Sequence, residues 1–418
     1  MTESFRAYVP LPDHPRAPLL GLDYRAYSDH MCNIPIVSQL SGEWRRNTEA
    51  PFRGITTDGN ITPDLFSIRD EGAPVEAMTN AAEWVLKLAT PAERHSLSLP
   101  LGSTERRQWC NPEIAFFRHG LRLEEAGQNL REAIFQVIKA SLSEYGVRKA
   151  QHCMIMNEFL GQVVKAPQIL NALSYYFTLF GKPSLSEPWG WQLHGHHLAM
   201  NVLVLGGQMV MTPCFWGAEP NEIDEGPYKG LKLFQDEELK GLEFMQSLSK
   251  PNQARAQLYK DVNSPSIPLG RKHPADHLHL AGASQDNRVI PYEGISGVDL
   301  DGNHRKVLLD LIEIYHLHLP DRVRDARMTD IERSLSECHF CWVGGTGPDD
   351  PFYYRIQSPV TIIEFDHHAG IFLTNQTAKK FHIHTLMRTP NGNDFGMELV
   401  RQHCEAHGKA CLDSSHKL

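Results

Sequence analysis

The chain has 418 residues, with 41 Lys and Arg against 50 Asp and Glu, for a formal charge of −9. Hydrophobic residues at 41% and charged residues at 22% describe a globular protein and exclude a disordered one. The acidic balance also argues against a general nucleic-acid surface. Histidine stands out at 22 residues. It is the commonest metal ligand and a ready general base near neutral pH.

The opening residues lack an apolar signal core, and no run of about eighteen apolar residues occurs anywhere. A cytoplasmic chain without a membrane span is therefore expected. Residues 1–75, rich in Pro, Gly, Asp and Thr, predict an irregular wrapping segment, and residues 76–418 a single α+β catalytic domain. Apolar periodicity predicts helices over 76–89, 121–145, 148–164 and 167–180, with Gly146 closing the second. From 189 to 216 the pattern turns to strands, with Gly206 and Gly207 as a tight turn. Helical patterning returns over 236–262. Residues 263–298 are loop-rich, punctuated by Pro265, Pro268, Pro274 and Pro291. Helices are expected over 301–316 and 321–336, strands over 353–388 and a last helix over 394–407. Helices and hairpins fall in separate blocks, which favours an α+β fold with an antiparallel or mixed sheet packed by several long helices. No phosphate loop or nucleophile elbow stands in a fitting context. The eight cysteines are irregularly spaced and read as reduced thiols. Cys338 and Cys341 form a CxxC, and Cys404, His407 and Cys411 follow; unrelated thiols are preferred to a zinc site.

Two stretches carry chemistry. In the first, alternation along a strand puts His194 and His196 on one face and His197 on the other. With Gly206 and Gly207 at the turn, His194 faces Glu219, His196 faces Gly217 and His197 faces Trp216. His194, His196 and Glu219 would then share a face, with the glycine leaving room, a donor set that suits a divalent transition metal. His197 reads as a core residue stacked on Trp216. In the second stretch, Glu364 and Asp366 share one strand face, and His382, His384 and Arg388 share another. Buried carboxylates there need partners, drawn from these histidines, Arg355 or Arg388. His367 and His368 read as solvated turn residues, and Asp394 as an N-cap. If the two histidine strands converge, His196, His382, His384 and Glu364 form the metal set, with Asp366 beside them and Arg388 orienting an anionic substrate. Trp189, Trp191, Trp216, Tyr354 and Arg355 would line the substrate pocket.

A set of motifs along the chain carries a family resemblance. Trp109, the turn at Arg118 to Gly120, and Leu121 with Leu123 come first. Then come the block from Glu187 to His197, the stretch from Thr212 to Pro220, and Tyr354 to Gln357. Ile363 to Asp366, His382, His384, Arg388 and Asp394 to Gly396 complete the set. Over roughly residues 100–405 the chain resembles the domain-of-unknown-function family numbered 3500. The resemblance marks Gly195, His196, His197, Glu364, His382, His384 and Arg388 as motif positions. It also implies that His194 is a local departure, since relatives tend to carry an acid there. The lack of a signal sequence, which differs from some relatives, suits an intracellular, biosynthetic enzyme.

Three functions remain open on the sequence. The first is a metal-dependent hydrolase or lyase using zinc, iron or manganese on a small carbonyl or carboxylate-bearing compound. The second is a metal-free isomerase, cyclase or decarboxylase with a histidine base. The third is a non-catalytic small-ligand binding protein. A small-molecule partner is expected in each, with no nucleic acid and no membrane; the sequence leaves the oligomeric state open.

Overall fold

Thirteen strands pair into one mixed sheet in the computed structural model, which describes residues 3–408. In chain order they are β1 (Ser98–Leu99), β2 (Leu121–Arg122), β3 (Tyr175–Phe180), β4 (Trp189–Gly195), β5 (Leu198–Leu205), β6 (Gln208–Val210) and β7 (Cys214–Ala218). The later strands are β8 (Gln257–Tyr259), β9 (Ile295–Ser296), β10 (His339–Gly344), β11 (Phe352–Gln357), β12 (Ile362–His368) and β13 (Lys379–Arg388). Their spatial order is β1-β3-β4-β5-β7-β13-β12-β11-β10-β8, with β2, β6 and β9 attached to β3, β5 and β10. Pairing is antiparallel except for β1 with β3 and β8 with β10. The α+β class with a mixed, hairpin-built sheet therefore holds. The β7–β13 pair matters most, because it joins a block of early strands to a block of late ones.

Most strands are buried along their whole length, β5 and β11 among them. Covered on both faces, they read as nearly continuous apolar runs. The polar residues in such strands are then the informative ones. The largest hydrophobic cluster runs from Phe5 to Phe395 and takes in Leu20, Tyr27 and Trp44, and two smaller clusters gather around Leu203 and Val343. The first 75 residues are more regular than their composition suggests, with helices at Tyr24–Cys32 and Pro35–Glu49. Asp23 caps the former by accepting from the N–H groups of Arg25 and Ala26.

Several expected elements are confirmed and several shift. The helix expected over 76–89 is Val75–Leu88, and those over 301–316 and 321–336 are Gly302–Ile314 and Asp321–Arg333. The long helix expected over 121–145 is shorter, Gln128–Ser141, because Leu121 and Arg122 pair with β3. Gly146 lies inside the next helix, Glu144–Val163. There a Cβ would stand 2.6 Å from the His318 carbonyl oxygen, so the glycine admits a close chain approach. The helix expected to reach 180 is in fact β3: a short aromatic and β-branched run is ambiguous by period alone. Gly206 and Gly207 do turn β5 into β6, with Leu203 opposite Val210 and Leu205 opposite Gln208. Strand β7 is separate, however, and sits one residue out of that register, with Leu198 opposite Trp216. Asp394 is not an N-cap; it accepts from Thr389 N and Arg388 Nε, both at 2.8 Å. Six of the described cysteines, Cys32, Cys110, Cys153, Cys214, Cys338 and Cys341, are free thiols. Cys411 lies outside the described residues. Among those residues no helix is long and apolar enough to cross a membrane.

Candidate metal centre

The first histidine stretch is not one strand. Strand β4 ends at Gly195, β5 starts at Leu198, and these two residues pair across a turn made of His196 and His197. His197 adopts φ +59°, a left-handed conformation uncommon for a residue with a side chain. Two backbone bonds hold it: Gly217 N donates to the His197 carbonyl at 2.8 Å, and His197 N donates to the Asn111 carbonyl at 3.2 Å. On the other side of β7, His384 of β13 lies opposite Gly217. A Cβ at Gly217 would come within 3.0 Å of the His384 ring and 3.1 Å of the His197 ring. The glycine therefore opens space as the sequence suggested, but for His197 and His384 rather than for His196.

His197, His382 and His384 converge. Their Nε2 atoms stand 3.0 Å (His382–His384), 3.2 Å (His384–His197) and 3.4 Å (His382–His197) apart. Ligand atoms about 2.0–2.1 Å from one tetrahedral ion are about 3.3 Å from each other. The residues are between 0% and 4% exposed. Burial pushes all three imidazoles well below their usual range, and the surrounding histidines push further, so the rings stay neutral. The Nδ1 atoms of His382 and His384 face carboxylates, Glu219 Oε1 at 3.7 Å and Asp366 Oδ1 at 3.9 Å. A proton on each Nδ1 satisfies that field and leaves the Nε2 lone pairs pointing at one another. The three nitrogens could together hold a metal ion, and a carboxylate behind a metal-bound imidazole is the usual outer partner.

Both carboxylates are themselves held. Glu219 accepts from the N–H groups of Ile371, Phe372 and Leu373 at 2.8, 3.1 and 3.0 Å. Burial raises its carboxyl to about 7, against the pull of those three donors. Asp366 lies directly opposite His384 in the β12–β13 ladder. His277 Nδ1 and His279 Nε2 approach its two oxygens at 3.5 Å each. Burial alone would raise the Asp366 carboxyl, but His279, His277 and His368 outweigh it and hold it below the usual range. His368 places its ring 4.4 Å from that of His384 and 4.8 Å from that of His382. Its Nδ1 bonds the Ala369 carbonyl at 2.8 Å, which fixes the tautomer and leaves a buried Nε2 with no protein partner.

The structure sorts the expected residues into three groups. His382, His384 and Asp366 meet as expected. His196 lies next to the site but outside the triad: its ring stacks on His197 at 3.8 Å, and its Nδ1 bonds Asn157 Oδ1 at 2.8 Å. Burial lowers it to about 3. His197, read as core, takes its place, and His368, read as solvated, is buried beside it. His367 is buried too, on Phe352 N and Glu238.

The remaining residues lie elsewhere. His194 stacks between His119 and Tyr176 and faces neither Glu219 nor the triad. Glu364 is not in the donor set. Its oxygens accept from Leu280 N and Ala281 N at 2.8 Å each and from the Tyr353 hydroxyl at 2.6 Å. Arg388 is fully buried on Asp286 at 2.6 Å and Asp394 at 2.8 Å, with Nη1 on the carbonyls of Ala281 and Gly282. Glu364 and Arg388 thus pin the loop that carries His277 and His279 onto the sheet. Trp189, Trp191 and Trp216 are core residues bonded to Ser184, Ser141 and Cys214. Tyr354 donates to the Glu237 carbonyl, and Arg355 pairs with Glu293. His277 and His279 were missed, although they form one of four HxH pairs in the sequence, the fourth being His316 and His318.

No curated protein and no solved structure matches the chain. A family model described as "Protein of unknown function (DUF3500)" matches residues 71–397, and the chain belongs to that family.

Proposed function

We propose that the chain is a metal-dependent enzyme in which His197, His382 and His384 hold one divalent ion. The reading is supported chiefly by the three buried, neutral Nε2 atoms 3.0–3.4 Å apart. Three protein ligands leave a tetrahedral ion one open position, the arrangement of catalytic rather than structural sites. An all-imidazole set suits zinc better than the two-histidine, one-carboxylate set of oxygen-activating iron, with manganese a less natural occupant. Such an ion polarises a carbonyl or brings a bound water near neutral pKa. Asp366 and Glu219 orient two of the rings, and His368 offers an acceptor lone pair beside them. The chemistry that follows is hydrolysis or a lyase step on a small carbonyl or carboxylate-bearing compound.

The test is turnover of a panel of small esters, lactones, amides and 2-oxo acids. Activity is expected to vanish on chelation and return with one equivalent of zinc, iron or manganese. Turnover untouched by chelation would replace this reading with metal-free acid–base chemistry in the same cluster. Ligand-induced stabilisation without turnover would replace it with a binding protein.

A further inference from the structure

Outside the histidine cluster, one group of buried charges is out of balance. Arg355 of β11 is 1% exposed, and its Nη2 donates to Glu293 Oε2 at 2.8 Å and to the Pro291 carbonyl at 3.1 Å. Arg271, whose side chain is 10% exposed, donates from Nη1 to the same Glu293 oxygen at 2.9 Å. Three donor nitrogens have no protein partner although all are buried: Arg355 Nη1 and Arg271 Nε and Nη2. Arg288 stands close enough that both other guanidinium groups repel its charge. It reaches only carbonyls, Leu280 at 3.1 Å and Gly270 at 3.4 Å. Against these three cations stand two carboxylates. Glu364 is already engaged by two backbone N–H groups and Tyr353. Glu293 is one-third exposed and is shared by two arginines through a single oxygen.

Leaving charged donors buried and unmet is costly. Guanidinium forks match the two oxygens of a carboxylate or phosphate. The Glu293 carboxylate shows that the place between Arg271 and Arg355 accepts an oxyanion.

We propose that Arg271, Arg288 and Arg355 form an anion site for the carboxylate or phosphate group of a small molecule, with Glu293 as an internal placeholder that the ligand displaces. The site stands one side chain from the histidine cluster. The Tyr353 ring lies 5.9 Å from the Arg271 guanidinium and 6.2 Å from the His279 ring. The inference does not depend on the metal reading, since none of the three arginines touches the triad.

The full chain is titrated with inorganic phosphate and, separately, with succinate, at constant ionic strength set by chloride. Thermal stability and calorimetric heat are both recorded. Saturable binding near one equivalent is expected, and the anion that saturates lower names the headgroup. Glu293→Gln is expected to tighten binding about tenfold by removing the charge that competes with the ligand, and Arg271→Lys, at a partly exposed position that keeps its charge, to weaken it about tenfold. Binding that saturates for neither anion, or that is equal in wild type and both variants, overturns the site.

Discussion

Arg388→Met is expected to destabilise the fold by about 3–5 kcal/mol, the cost of breaking a buried ion pair by removing one partner. The guanidinium is fully buried, with Nε on Asp394, Nη2 on Asp286 and Nη1 on two loop carbonyls. Removing it strands Asp394, since only Thr389 N remains on that carboxylate, while Asp286 keeps Arg107 at 2.8 Å. Burial already raises the Asp394 carboxyl, and Arg388 is the largest influence opposing that. Urea unfolding checks this: the midpoint should fall with little change in slope. A substrate anchor would behave differently, with stability nearly unchanged and KM raised. That second outcome would mean that Arg388 has a role at the open site after all.

Asp366→Asn and Glu219→Gln are each expected to weaken metal affinity about 10–100-fold without unfolding the chain. Each amide keeps the size of the acid but removes the charge that faces a ligating ring, at 3.9 Å for Asp366 and 3.7 Å for Glu219. The two should differ in a second respect. Glu219 also gathers three N–H groups of the segment 371–373, so its replacement loosens that segment as well. Among the described residues no backbone N–H donates to Asp366. Competition against a chromophoric chelator gives both affinities. Unchanged values would show that the carboxylates do not orient the rings.

Strand alternation made His382, His384 and Asp366 legible, because a period of two leaves little choice of face in a buried strand. It could not show that β7 and β13 are neighbours, since that pairing spans well over a hundred residues and has no local signal. The exchange of His196 for His197 has a local cause. Nothing in the pair of histidines announces a turn, because the left-handed position is filled by His197 rather than by glycine or asparagine. One missed turn reversed the faces. His277 and His279 sit in a loop, where no periodicity marks direction. In the sequence Glu364 reads as a buried carboxylate in need of partners, and Arg388 as one source of them. Their partners are loop amides, loop carbonyls and two distant aspartates, which only the folded chain brings near.

The metal content of freshly purified wild-type chain, His197→Ala and His196→Ala tests the central claim most directly. About one equivalent of zinc, iron or manganese is expected in the wild type and in His196→Ala, and none in His197→Ala. Metal absent from the gently purified wild type, or retained in full by His197→Ala, would contradict the histidine triad as a metal centre.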